Sequence, residues 1–493
     1  MFNLYKNELF KIFHKKTFYV IMGLLILTIV AATWLNKANG NEIYAEDTES
    51  ISDLESELKS TDKNEDPTSY ADLETRIEIA NLEKEYQKGS WQYTLISSDV
   101  YDLLYSYNIN KEDTVSKEEY DKMIERIKNG DWKSILQEKL DEINENLELE
   151  KLSQQNLEGS EQGKSTNTSQ NEENLLNIRK EELEMRIAYN IPDEDSNLSN
   201  IVDKWRTTKL QYEDFTEEVG NPLIDYSTEK KNLKAEFELC EYAIKNNLKD
   251  MEIKEISDNS GNYVLATSTD TQIISANRTG YYGIFTLVLI TILSVTTITE
   301  EFNKGTIKQL LTKPYRRSKI LFAKILAIVT ILAISLIVIT FVQYIASGIF
   351  FGFNGYTKLI YTYNFSTSAV EKVNTFLYSI LYTLLLLPQY LLIMAIAIMF
   401  SVLSCNSGVS IALTMIELFT YSLVNQLVLV YGKIKLLIYL ETLNWDWTIF
   451  LYGKQSTIKG ITFPISIIVC TVYFAVFMIV SFATFKHKEI KNI

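Results

Sequence analysis

Residues 373–416 read VNTFLYSILYTLLLLPQYLLIMAIAIMFSVLSCNSGVSIALTMI, 44 residues in a row without a charge. A helix needs about 20 apolar residues to cross a bilayer. The run is therefore too long for one span. Ser404-Cys405-Asn406-Ser407-Gly408 carries turn chemistry, which divides the run into two spans joined by a tight turn. Helices of soluble domains rarely exceed about 25 residues without a polar face. This stretch alone points to a membrane protein.

Four further uncharged runs extend the reading: Thr17–Leu35, Tyr281–Thr299, Ile325–Thr357 and Ile461–Phe485. Together they predict six spans, near 17–35, 281–299, 321–348, 376–402, 408–431 and 462–484. Pro388 is expected to kink the fourth. The expected fold class is an all-α membrane protein: six transmembrane helices plus a large, mainly helical extracellular domain between the first and second.

Charge supplies the orientation. The chain carries −15 overall, but residues 36–280 hold 55 acidic and 28 basic side chains, whereas the remainder holds 8 and 20. A chain so polarised is better read as separate parts. Lys6, Lys11, Lys15 and Lys16 precede the first span. Lys304, Lys308, Lys313, Arg316, Arg317, Lys319 and Lys324 lie between the second and third, and Lys486, Lys488 and Lys491 follow the sixth. Six spans put all three clusters on one side, which the positive-inside rule makes the cytoplasm. Both termini (1–16 and 485–493) and the 300–320 loop are then cytoplasmic, and 36–280 is extracellular. Residues 1–35 also have features of a secretory signal. The apolar run is long enough to span, however, and the site after it is poor for cleavage. Forty lysines against eight arginines, with abundant Asn and Ile, suggest an AT-rich bacterial genome and hence a bacterial plasma membrane.

Phe2, Tyr5, Leu9 and Phe13 recur at helical spacing among the first lysines. This suits an amphipathic helix in the inner interface; a basic flank to the first span explains the lysines equally well. In the 36–280 domain, Leu136, Leu140, Ile143 and Leu147 follow heptad spacing, and Leu176, Leu183 and Ile187 continue it beyond a break. The break, 153–174, is almost wholly polar and reads as a flexible tip. Two helices flanking it suggest a projecting hairpin. Leu73-Glu74-Thr75-Arg76-Ile77 faintly echoes Leu183-Glu184-Met185-Arg186-Ile187, and Trp91 and Trp205 follow each by about 20 residues.

Catalytic chemistry is absent by motif. The two histidines, His14 and His487, sit at span edges, and Cys240, Cys405 and Cys470 fall in different compartments, so neither a metal set nor a disulfide framework is expected. Gly163-Lys164-Ser165-Thr166 resembles the end of a phosphate-binding loop, but Gly159 stands one residue too close and no apolar strand precedes it. No enzyme activity, cofactor or nucleic-acid partner is expected of this chain.

The densest segment is Glu300-Glu301-Phe302-Asn303-Lys304-Gly305-Thr306-Ile307-Lys308-Gln309-Leu310-Leu311-Thr312-Lys313-Pro314-Tyr315-Arg316-Arg317. Gly305 and Pro314 bracket a short helix; Ile307, Leu310 and Leu311 give it an apolar face suited to a partner's groove. The segment resembles the pattern E-x-x-x-G-T-(I/L)-x-x-L-L-x-x-P-x-x-R that follows the second span of ABC-2 type permeases, the membrane subunits of ATP-binding-cassette exporters. The order of parts resembles that family too, over roughly 1–40 and 275–493. The resemblance implies an ATPase-coupling loop carried by Glu300, Glu301, Phe302, Gly305, Thr306, Ile307, Leu310, Leu311, Pro314 and Arg317. It also implies ATP and magnesium bound by a partner ATPase in two copies, and a second permease copy or paralogue. By family analogy the substrate is an amphipathic peptide, antimicrobial or lipophilic compound. A basic loop that only anchors topology is the plainer alternative.

Glu417 lies nine residues past Gly408, about 13 Å into the fifth span, where a carboxylate costs a few kcal/mol unless paired, neutral or wetted. Gln343, Gln389, Asn425 and Gln426 also fall in spans. These residues are candidates for a pathway or an interface; structural hydrogen bonding between helices is the alternative for Glu417. Residues 432–461 are amphipathic and aromatic, with Leu436-Leu437-Ile438-Tyr439-Leu440 and then Trp445-Asp446-Trp447. They suit either a re-entrant segment, as in the resembling family, or an outer loop with an aromatic belt. A membrane-anchored sensor or scaffold with an extracellular ligand-binding domain is the rival function.

Overall fold

The computed structural model describes residues 2–39, 50–157, 166–215, 223–255, 263–267, 279–303, 316–353, 358–431 and 435–488. The chain opens with α1 (Phe2–Phe13) and α2 (Lys16–Asn39). Then come α3 (Ile51–Ser60), α4 (Pro67–Glu83), α5 (Trp91–Leu95), a π-turn (Ile96–Val100), α6 (Tyr101–Ile109) and α7 (Thr114–Asn129). They are followed by α8 (Trp132–Leu157), α9 (Thr166–Tyr189), α10 (Asn197–Glu213), α11 (Tyr226–Lys245), β1 (Met251–Glu255) and β2 (Tyr263–Thr267). The remainder is α12 (Thr279–Asn303), α13 (Arg317–Phe351), β3 (Leu359–Asn364), β4 (Ala369–Asn374), α14 (Thr375–Leu385), α15 (Leu387–Ser404), α16 (Ser407–Tyr431), α17 (Glu441–Asn444) and α18 (Phe463–His487).

Two compact units result. One comprises Met1–Glu42, Glu217–Asn232 and Lys254–Ile493; the other comprises Ile43–Thr216 and Leu233–Ile253.

Among its described residues the first unit contains six helical segments long and apolar enough to cross a membrane: α2, α12, α13, the α14–α15 pair, α16 and α18. At its centre is α15, in which every residue from Leu392 to Ile398 is buried. A helix that is apolar all round belongs inside other helices, and α15 packs against α12, α16 and α18. α13 packs instead on α1 and α2. Pro388 does more than kink the fourth span. α14 ends at Leu385 and α15 starts at Leu387 with Pro388 in its first turn, where a missing N–H costs nothing. At the turn into α16, Cys405 takes a left-handed conformation (φ 54°) and Asn406 Oδ1 accepts from the Gly408 and Val409 amides.

Two expectations need correction. The all-α reading omits a four-stranded sheet of order β1-β2-β3-β4, in which β3 and β4 form an antiparallel hairpin pairing Leu359 with Asn374 and Asn364 with Ala369. Strands of five or six residues are too short to stand out beside the long helical patterns. Nor is 36–280 one domain. Residues 223–225 join the membrane unit through an Ile224–Ile458 bridge and a Leu223 side chain packed with Val428, Leu443 and Ile461. Net charge over a window does not register two apolar residues, Leu223 and Ile224, within it.

The second unit is helical. Its helices start where short polar side chains accept from their first turns: Ser50, Asp66 (followed by Pro67), Ser90, Asp113 and Ser196, each cap contributing about 1 kcal/mol. Gly130, at φ 74°, closes α7. Ile96, Val100, Leu104, Ile127 and Ile135 form one core. The α8–α9 hairpin forms another from Leu136, Leu140 and Leu183, with Ile143 and Ile187 against it. Helix occupies much of the 153–174 tip, since α8 reaches Leu157 and α9 starts at Thr166. The Gly163-Lys164-Ser165 stretch lies outside the described residues. The internal echo separates on its arginines: Arg186 is buried among Glu182, Ser199 and Asp203, whereas Arg76 is part-exposed beside Asp72.

Candidate functional site

α12 ends not at the apolar boundary near Thr299 but one turn later, so Glu300, Glu301 and Phe302 are helical rather than in a loop. Thr-Glu-Glu-Phe-Asn holds neither Gly nor Pro, so nothing in it breaks the helix. Gly305 through Pro314, including Thr306, Ile307, Leu310 and Leu311, lies outside the described residues. Arg317 opens α13.

These helix ends meet. Glu300 pairs with Lys15 at 2.6 Å. Glu301 Oε1 accepts from Lys11 at 2.9 Å and sits 3.1 Å from Lys324 Nζ. Phe302 is buried edge-on against Phe485. Arg317 donates to the Lys486 and Lys488 carbonyls, and Lys488 Nζ donates to the carbonyls of Val402 and Leu403 at the end of α15. Asn303 Nδ2 reaches Ser407 Oγ at 3.4 Å. One end of the bundle therefore gathers α1, the end of α12, the start of α13, the α15–α16 turn and the end of α18.

At its centre lies a pair absent from the sequence reading. Lys324, counted there as a loop charge, is inside α13 and buried; it donates to Glu8 Oε2 and to the Thr297 carbonyl, both at 2.9 Å. Glu8 is 1% exposed, and its other oxygen accepts from Lys11 at 2.7 Å. Tyr5 and Thr330 share a hydroxyl–hydroxyl bond beside it. Two carboxylates and two ammoniums thus alternate across α1, α12 and α13. Burial pushes the Glu8 carboxyl up, but Lys324 and Lys11 outweigh it and hold the carboxyl below its ordinary value. Burial works against the Lys11 ammonium; Glu301 and Glu8 reverse this and raise its pKa. A buried pair resists separation because a lone partner would be left without compensation. The arrangement is suited to making α1, α12 and α13 move as one body, not to bond chemistry. Among the described residues no three His, Cys, Asp or Glu side chains are placed to hold a metal.

Sequence signals for this pair existed. Glu8 is the only acid before Glu42, and Lys324 interrupts an apolar run. Of the stripe through Phe2, Tyr5, Leu9 and Phe13, the last three pack part-buried against the bundle core. The face of α1 that is buried carries Leu4, Glu8 and Ile12, and Phe2 is exposed.

The other polar candidates are dispersed. Gln343 is buried on α13; Gln389 and Glu417 are half-buried; Gln426 is exposed. Gln426 stands about half a turn round α16 from Glu417. Asn425 donates to the Thr442 carbonyl, tying α16 to α17. Asn444 at the end of α17 is buried. Its Nδ2 donates to the Ile438 and Leu440 carbonyls, its Oδ1 accepts from Ser466, and its carbonyl accepts from Trp447 and Cys470. Cys470 lies seven residues into α18, about 10 Å along it. The 441–447 segment is therefore tucked between α16 and α18.

Fold and site together define a membrane protein with six apolar spans whose N-terminal helix is locked by charge to the second and third. A family model described as "Protein of unknown function (DUF2705)" matches residues 251–491, taking in the sheet, α12 to α18, Glu301 and Lys324, but not Glu8 or Lys11. "Uncharacterized protein YhcI" of Bacillus subtilis (strain 168) is 26% identical over 264 residues, 53% of this chain and 78% of that protein. No solved structure matches.

Proposed function

We propose that the chain is the membrane subunit of an ATP-binding-cassette exporter, in the bacterial plasma membrane. The charged end of the bundle faces the cytoplasm, and residues 304–316 contact a separate ATPase. The observation that carries this reading is the position of Glu301. It begins the motif that resembles the ABC-2 coupling loop, and it is bonded to Lys11 on α1 and set against Lys324 on α13. Closure of an ATPase pair against that loop would be passed to three helices at once. ATP and magnesium belong to the ATPase, two copies are required, and a second permease chain completes the pathway. The cargo class proposed is an amphipathic peptide, antimicrobial or lipophilic compound.

The test is coupling. Glu301→Lys, or Gly305→Trp, should insert normally but lose cargo-dependent ATP hydrolysis by the co-expressed complex. Full transport by both variants would remove the coupling role. A sensor or scaffold is the second reading, favoured by the compactness of the unit formed by 43–216 and 233–253; it requires no ATPase.

A further inference from the structure

Thr33, Thr299, Ser335 and Ser401 are buried in the spans, and each hydroxyl donates to the carbonyl one turn back on its own helix. Three hydroxyls of α12 are not spent in this way. Thr291, Ser294 and Thr297 are 0%, 0% and 4% exposed, and their hydroxyl oxygens have no hydrogen-bond partner among the described residues. Glu301 Oε2, the oxygen not bonded to Lys11, is buried and unpartnered there too.

The four groups form a ladder. They stand three, three and four residues apart, so each neighbours the next on the helix surface, with about 5–6 Å between Cβ atoms. From Glu301 to Thr291 the ladder climbs about 15 Å, half of a hydrocarbon core about 30 Å thick. It follows a seam between two apolar cores. Leu287, Ile290 and Ile298 share one core with α15, whereas Leu289 and Leu293 share the other with α2. On α13, Ala323 belongs to the first core and Ala327 to the second. Beside these two short side chains is Lys324, which donates to the Thr297 carbonyl.

The chemistry selects the occupant. A buried hydroxyl left without a partner is costly, and buried polar groups are bonded to protein or to ordered water. All four ladder groups accept, and the three hydroxyls also donate. Two hydrogen bonds of about 2.8 Å match the spacing of neighbours on the ladder, so one water molecule bridges each pair. A metal cation is disfavoured, because the Lys324 ammonium already stands 3.1 Å from Glu301 Oε1. We infer that water molecules stand in file along α12 from Glu301 to Thr291, a hydrated path from the charged end of the bundle to the middle of the bilayer. The inference stands apart from the ATPase reading and needs only that the helices span a membrane.

The test is radiolytic hydroxyl-radical footprinting of the full chain in nanodiscs, read by mass spectrometry; radicals form from bound water as well as from bulk water. Ile290 and Ile298 lie one turn to either side of Ser294. Ile393 and Ile398 on α15 are the comparison, and all four are at most 1% exposed. Ile290 and Ile298 should be oxidised about tenfold faster than the α15 pair. Replacing the hydroxyls together (Thr291→Val, Ser294→Ala and Thr297→Val) should abolish that excess in a variant shown by its thermal midpoint to be folded. Equal oxidation of the four isoleucines in the parent chain would overturn the inference, and would mean that the hydroxyls turn back onto their own helix. An excess that survives in the folded triple variant would overturn it as well. The parent comparison decides by itself if the variant does not fold.

Discussion

Glu8 and Lys324 are 316 positions apart in sequence and 2.9 Å apart in the structure, both almost wholly buried. α1 is thereby fixed to the wall of the bundle instead of resting on it. Removing one partner leaves the buried network one charge out of balance, at a cost of up to about 3–5 kcal/mol. Lys324→Met and Glu8→Gln should each lower the thermal midpoint markedly. The double variant should recover much of the loss, because it leaves no unpaired charge. A double variant no more stable than the sum of the singles would show that the two do not act as a pair.

The same network sets a pH window. Glu8 is held below its ordinary value, so its contribution is complete above the ordinary carboxylate range and disappears as pH falls through the lowered value. Lys11 is raised, so its contribution is complete below the ordinary lysine value and disappears as pH climbs through the raised one. Thermal stability in detergent should be flat through neutrality and fall in acid below about pH 4. Glu8→Gln should flatten part of that acid limb.

Arg186 and Arg76 occupy echoing sequences but opposite environments. Arg186→Met should cost on the order of 3 kcal/mol by leaving Glu182 and Asp203 short of a partner. Arg76→Met, at a part-exposed pair, should cost under about 1 kcal/mol. Protease resistance of the 50–250 region in the full chain measures the difference.

Asn444 makes five hydrogen bonds, three within 438–447 and two with Ser466 and Cys470 of α18. Asn444→Leu should loosen that segment and expose Cys470, which is 6% exposed. With Cys240 and Cys405 replaced by serine, maleimide labelling of Cys470 should accelerate several-fold. Unchanged labelling would mean that the segment is held by its aromatic contacts instead.

The six apolar segments were legible because a bilayer demands a long signal. The stretch 392–398, inside the opening run, is the centre of the bundle. The sheet was missed because its strands are short, and the return of Leu223 and Ile224 because charge averaging conceals two apolar residues. Glu8 and Lys324 were each visible as an anomaly, an acid among lysines and a lysine among apolar residues. Only the fold brings them together, since nothing local relates α1 to α13. Glu301 was identified from its motif, but its partners on α1 were not.

The central claim is that the 304–316 segment, anchored to the bundle through Glu301, engages an ATPase. The direct test is a mild-detergent pull-down of the tagged chain from its native membranes, with nucleotide present, followed by identification of the chains that co-purify. The account predicts a stoichiometric ATP-binding-cassette ATPase that is lost when Glu301 or Gly305 is altered. A pure preparation without any ATPase, across several detergents, would contradict it and favour the sensor or scaffold.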